Sequence, residues 1–172
     1  MTHADRNLNG TGHPSARTTR LPDWLAAFGL GLVAGGRSAL PLALASRHLA
    51  RSARAHHGLA RLLARPGVRA ALTVAAGGEL LVDKLPFTPP RTAPLPLGGR
   101  VLSGATVGAA ISRTSQAAGA LAGAAGAALG SFAGYHLRRL ATRRLHAPDL
   151  AAAVAEDALW FGAARALLAR TH

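Results

Sequence analysis

The sequence predicts an all-α fold: a polytopic bundle of transmembrane helices, four or five spans, with Gly-rich small-xxx-small packing and one basic amphipathic helix. Three observations lead there. First, five hydrophobic stretches of about 15–24 residues leave little of the 172-residue chain for anything else. Second, mean hydropathy is +0.21 although the formal net charge is +13, so charge must be segregated from the apolar segments. Third, the chain has 20 glycines but only two Trp, one Tyr and four Phe. A soluble core of Ala, Gly and Leu with so few aromatics would bury little area per residue. The absence of cysteine excludes disulfides, thiolate metal sites and cysteine nucleophiles.

Residues 1–20 are polar and broken by Gly10, Gly12 and Pro14, with no apolar run that would suit a secretory signal. They read as a disordered tail, and 21–172 as one helical membrane domain. The first candidate span is 21–45. Pro22 and Asp23 are helix-start signals. About 24 residues at 1.5 Å each reach roughly 36 Å, enough to cross with tilt. Arg37 lies inside this run, and Pro41 follows four residues later. The Arg37 carbonyl therefore loses its helical donor, and a kink or polar site is expected there.

Residues 46–66 are basic. Arg47, Arg51, Arg54, Arg61 and Arg65 fall within about 80° on an ideal helical wheel, opposite Leu49, His56, Ala60 and Leu63. The pattern predicts an amphipathic helix ended by Pro66-Gly67. Its arginines either face anionic lipid, at roughly 1 kcal/mol each, or form a solvated face set by topology alone.

Residues 68–85 form the second candidate span, stopped by Pro86. Residues 86–97 hold five prolines and read as an extended connection. Residues 97–111 are apolar but short, and re-entry is as consistent with their length as crossing. Residues 117–137 and 150–169 complete the set. Segments 46–69 and 138–144 both carry arginine clusters. Both face the cytoplasm only when an even number of spans separates them, which singles out 97–111 as the non-spanning segment.

Gly119 and Gly123 are four apart, as are Gly126, Gly130 and Gly134. Glycines so spaced line one helix face and admit another backbone. The seam suits packing within one chain first, with a homo-oligomer as the alternative.

The polar residues inside apolar segments need an explanation, because a charge at a spanning helix centre costs about 2.5–3.5 kcal/mol on insertion scales. They are Arg37, Glu79, Asp83, Lys84, Arg100, Glu156 and Asp157. Charge complementarity predicts Arg37 with Glu79 or Asp83, and Arg100 with Glu156 or Asp157. Such a cluster fixes helix register, or serves as a polar site for an ion, proton or lipid head group. The four acids could also hold a divalent cation, although no spacing is diagnostic of a metal. Gly35-Gly36-Arg37 and Gly98-Gly99-Arg100 hint at an internal repeat. No Walker A, G-x-S-x-G or H-E-x-x-H pattern is present, and no nucleophile, base and acid are arranged together. The expectation is a non-enzyme without a cofactor.

Certain residues resemble a bacterial membrane family. They are Gly35-Gly36-Arg37-Ser38-Ala39-Leu40-Pro41, Glu79-Leu80-Leu81-Val82-Asp83-Lys84-Leu85-Pro86, Arg91-Thr92-Ala93-Pro94 with Gly99-Arg100, Gly134-Tyr135, and Ala155-Glu156-Asp157. The family is that of domain of unknown function 4126, and the resemblance covers roughly residues 22–169. It implies a multi-pass inner-membrane protein without assigned activity and carries no catalytic residues. The arginine-rich 46–66 segment looks longer and more basic than the family's usual connection. The expected partners are the lipid bilayer, anionic lipids in particular, and a second copy of the chain. Nucleic acid is not expected, because lysine is nearly absent and the apolar runs are long. Two other readings stay open: a small transporter- or channel-like subunit using Glu79 and Asp83, and a membrane scaffold that recruits partners through the arginine stripe.

Overall fold

The computed structural model describes residues 20–52, 57–82, 94–144 and 149–171. Among them the chain forms seven helices and no strand: α1 Asp23–Gly36, α2 Ala39–Arg51, α3 Gly58–Ala64, α4 Pro66–Val82, α5 Pro94–Ile111, α6 Gln116–Arg144 and α7 Asp149–Ala169. The all-helical expectation holds. Among the described residues one helical segment, Gln116–His136, is long and apolar enough to cross a membrane. Asp23–Gly36 is apolar but shorter. The predicted set of four or five individually sufficient spans is therefore not found.

The main departure from the sequence reading is in residues 21–45. They do not form one rod. The helix stops at Gly36, Arg37 is extended (φ −140°, ψ 105°), and a new helix starts at Ala39. Pro41 is the third residue of α2, in the first turn, where no intrahelical N–H is required. The chain then returns toward the end it came from. At the start of α1, the Asp23 carboxylate accepts from the Arg113 and Thr114 amides, just beyond α5. At its end, the Gly35 carbonyl accepts from Arg100, near the start of α5. So α1 and α5 are antiparallel. In α2 the order is opposite: Ser38 meets Ser103 midway along α5, and Leu49 packs with Ala110 near its end. Helices α1 and α2 are thus the legs of a helical hairpin, about 21 and 20 Å long at 1.5 Å per residue. Both feet meet the end of α7, through Leu21 N to Arg170 O at 3.2 Å and His48 to Thr171 at 3.3 Å.

The remaining long helices alternate in direction around this hairpin. α4 runs from the feet toward the tip, because Thr73 bonds Arg47 and Glu79 reaches Ser38. α5 returns, α6 rises again beside α1, and α7 descends from Asp157 at the tip to Arg170 at the feet. Residues 97–111 lie within α5, which runs alongside both legs of the hairpin. Pro94 and Pro96 sit in the first turn of that helix, where the sequence reading had an extended connection.

The glycine stripe explains the tight centre. A Cβ at Gly119 or Gly123 would run into the backbone of Gly108 or Gly104 on α5. One at Gly126 or Gly130 would run into the Phe28 or Leu32 backbone on α1. Helix α6 therefore uses two glycine faces for two neighbours, and Gly31, Gly35, Gly104 and Gly108 answer them. Gly134 continues the spacing but has open space where its Cβ would be, so it belongs to no such contact. The buried core joins Ala26, Leu30 and Val33 of α1 to Ala45, Val107 and Ala164.

The predicted 46–66 amphipathic helix is also revised. α2 ends at Arg51, α3 is a separate short helix, and Pro66 opens α4 instead of closing an element. The His57 side chain caps α3 by accepting from the Ala60 amide at 3.3 Å. Arg47, Arg51, Arg61 and Arg65 are exposed, but on different elements, and Arg54 lies outside the described residues, as does the polar tail 1–19.

Candidate functional site: the hairpin tip

Reversing a helix inside a bundle leaves two sets of unsatisfied backbone groups at one point: the last carbonyls of α1 and the first amides of α2. Their partial charges are opposite, negative at the end of α1 and positive at the start of α2. The tip is buried with Gly35, Gly36 and Arg37 (2 % exposed). Water cannot serve all these groups, so side chains must.

They come from four other helices. From α4, the Glu79 carboxylate accepts from the Ser38 amide (2.7 Å), the Ser38 hydroxyl (2.8 Å) and the Ala39 amide (2.9 Å). This is an N-cap supplied by a distant helix, since Ser38 makes no side-chain cap of its own. From α5, Arg100 (6 % exposed) donates to the carbonyls of Gly35 at 2.5 Å and Gly36 at 3.3 Å. The Ser103 hydroxyl, also on α5, donates to the Ser38 carbonyl. From α6, the buried Ser131 hydroxyl lies 2.8 Å from Ala127 O and 3.3 Å from Gly35 O. From α7, Asp157 accepts from both Nε (2.7 Å) and a terminal nitrogen of Arg37. Thus an anion meets the positive half-helix end and a cation meets the negative one.

The cluster foreseen in the sequence largely converges here, with different partners. Arg37 is paired with Asp157 and not with Glu79, whose three bonds go to Ser38 and Ala39. Asp157 pairs with Arg37 and not with Arg100, which is engaged by main-chain carbonyls. Glu156 accepts from the Trp160 indole at 3.3 Å, and that ring covers Gly36 so closely that a Cβ there would strike it. Asp83 and Lys84 lie outside the described residues. The hinted repeat of Gly-Gly-Arg has one structural counterpart: Arg37 and Arg100 are both buried at the tip. The glycines differ, since Gly35 and Gly36 are packed while Gly98 and Gly99 face open space. Among the described residues no three His, Asp or Glu side chains are grouped so as to hold a metal ion.

Sequence reasoning missed Ser38, Ser103, Ser131 and Trp160. Ser103 and Ser131 carried a usable signal, being lone hydroxyls in Gly/Ala-rich apolar helices, where polar side chains bond across the interface. Ser38 follows Arg37 directly and was hidden by it.

Comparison with known proteins returns no match to any family model, curated protein or solved structure.

Proposed function

We propose that the chain is a multi-pass integral membrane protein of the inner membrane, in which the polar cluster anchors a re-entrant hairpin inside the bundle. In this reading α4 to α7 cross, while α1 and α2 enter and leave on one side. The observation that carries it is the hairpin tip: non-helical backbone at depth, with its polar groups met by charged and hydroxyl side chains from every crossing helix. That arrangement is what a bilayer requires, because non-helical backbone at membrane depth survives only where protein encloses it. The outward faces agree. Val74, Leu81, Leu102, Leu121, Leu129 and Leu159 are large apolar side chains more than half exposed, spread over α4, α5, α6 and α7. In water such a surface is an association liability.

A second reading is favoured by one feature, the Glu79 carboxylate on the half-helix amides. Carriers with broken helices place anionic groups at such ends. Here the protein's own carboxylate occupies the position, which makes Glu79 the natural moving part of a transporter- or channel-like subunit. The test is carbonate extraction followed by reconstitution of the parent and Glu79→Gln. A protein that resists carbonate and leaks neither protons nor ions in either form fits the anchoring role. Release by carbonate contradicts membrane integration. An ion or proton flux that vanishes in Glu79→Gln replaces anchoring with transport.

A further inference from the structure

Beside the feet of the hairpin, between α2 and α4, lies an open groove of about 520 Å³. Arg47 and Arg51 line it from α2, and Arg69, Thr73 and Val74 from α4. Three guanidinium groups thus face one space, and no carboxylate lines it among the described residues. Arg47 reaches the Thr73 hydroxyl at 3.3 Å, and that hydroxyl is itself committed to the Arg69 carbonyl at 2.7 Å. The Arg69 Nε is buried without a hydrogen-bond partner. Three like charges around a groove repel, unless an anion sits among them. Pro66, at the start of α4, borders the same groove, so the positive end of that helix adds to the field.

The surface continues down α4. Ala70, Val74, Gly77 and Leu81 recur at helical spacing, and all four are exposed; Val74 is 75 % exposed and Leu81 71 %. A cationic pocket above an apolar stripe is complementary to an amphiphile, not to a free ion.

We propose that this groove binds the phosphate of an anionic phospholipid between the guanidinium groups of Arg47, Arg51 and Arg69, with an acyl chain along the α4 stripe. Guanidinium donors match phosphate oxygens in pairs. The site differs from the five-arginine stripe read from the sequence: it drops Arg61 and Arg65, which lie outside the groove, and adds Arg69. It rests on the membrane reading above, and carbonate extraction of the same chain separates failure of that reading from failure of this one.

The test is native mass spectrometry of the full chain in detergent, with phosphatidylglycerol, phosphatidylcholine or inorganic phosphate added. The expected result is retention of phosphatidylglycerol roughly 10-fold over phosphatidylcholine, whose choline cation is repelled by the three arginines and offsets its phosphate. Arg69→Gln and Arg51→Gln should each remove most of that preference, and Arg61→Gln should leave it. Arg51 is exposed, so its variant reports on binding even where Arg69→Gln misfolds. Equal retention of the two lipids overturns the proposal. So does a loss in Arg61→Gln matching that in Arg51→Gln, which would mean diffuse charge. Binding of inorganic phosphate that displaces the lipid overturns the phospholipid assignment in favour of a soluble phosphate.

Discussion

Glu79 offers the sharpest mutational test of the hairpin. Replacing it by Ala removes the acceptor of two backbone amides, Ser38 N and Ala39 N, and of the Ser38 hydroxyl. The hydroxyl can turn elsewhere, so the amides decide the magnitude. A buried donor left without a partner costs about 1–3 kcal/mol, and a lost helix cap about 0.5–2 kcal/mol. Two amides at the start of one helix therefore amount to roughly 3 kcal/mol. A chain of this size shifts its midpoint by about 2–4 °C per kcal/mol, so Glu79→Ala should lower Tm by roughly 6–12 °C. Glu79→Gln keeps one carbonyl oxygen and loses the charge, at about 1–1.5 kcal/mol, or roughly 2–6 °C. The assay is thermal unfolding in detergent followed by circular dichroism, with size exclusion to confirm a monodisperse start. A Tm for Glu79→Ala within about a degree of the parent would refute the capping role, because the amides would then be served without it. A Gln variant as damaged as the Ala variant would mean that charge, and not the acceptor, is what α2 requires.

Other substitutions test the remaining contacts. Arg100→Met should strip the Gly35 and Gly36 carbonyls of their donor and cost about 2–3 kcal/mol, with Arg100→Lys recovering part of it in the same melts. Asp157→Asn should weaken the bundle by about 3 kcal/mol by leaving the buried Arg37 short of its carboxylate, and proteolysis of α7 should accelerate. Gly123→Ala should cost about 1–3 kcal/mol, since its Cβ meets the Gly104 backbone, which cannot step aside. Gly134→Ala, with open space around it, should leave Tm unchanged or raise it, by up to about 1 kcal/mol of helix propensity.

The all-helical fold and the charged members of the site were readable from the sequence, but the direction of the chain was not. Arg37 and Pro41 marked the break correctly. Yet an apolar run of about 24 residues fits one crossing rod and two half-depth legs equally well, because hydrophobicity records burial and not heading. Glu79 and Asp157 took other partners than charge matching gave them, for a related reason. Charge matching considers only side chains, whereas the reversal creates backbone poles that compete for Glu79 and Arg100. The arginine stripe looked continuous because 100° periodicity carries across a break at Ser52 as if the helix went on. Gly134 shows the limit of spacing alone: it repeats Gly130, but the neighbouring backbone has diverged by then.

The central claim is that residues 21–45 turn back at Arg37 and do not cross. The chain has no cysteine, so single-cysteine labelling is clean. Arg20→Cys and Ser52→Cys flank the hairpin, and Ser115→Cys lies in the turn between α5 and α6 at the same end. In oriented vesicles, a membrane-impermeant maleimide should label all three from one side. Labelling of positions 20 and 52 from opposite sides would contradict the hairpin and restore a single crossing helix.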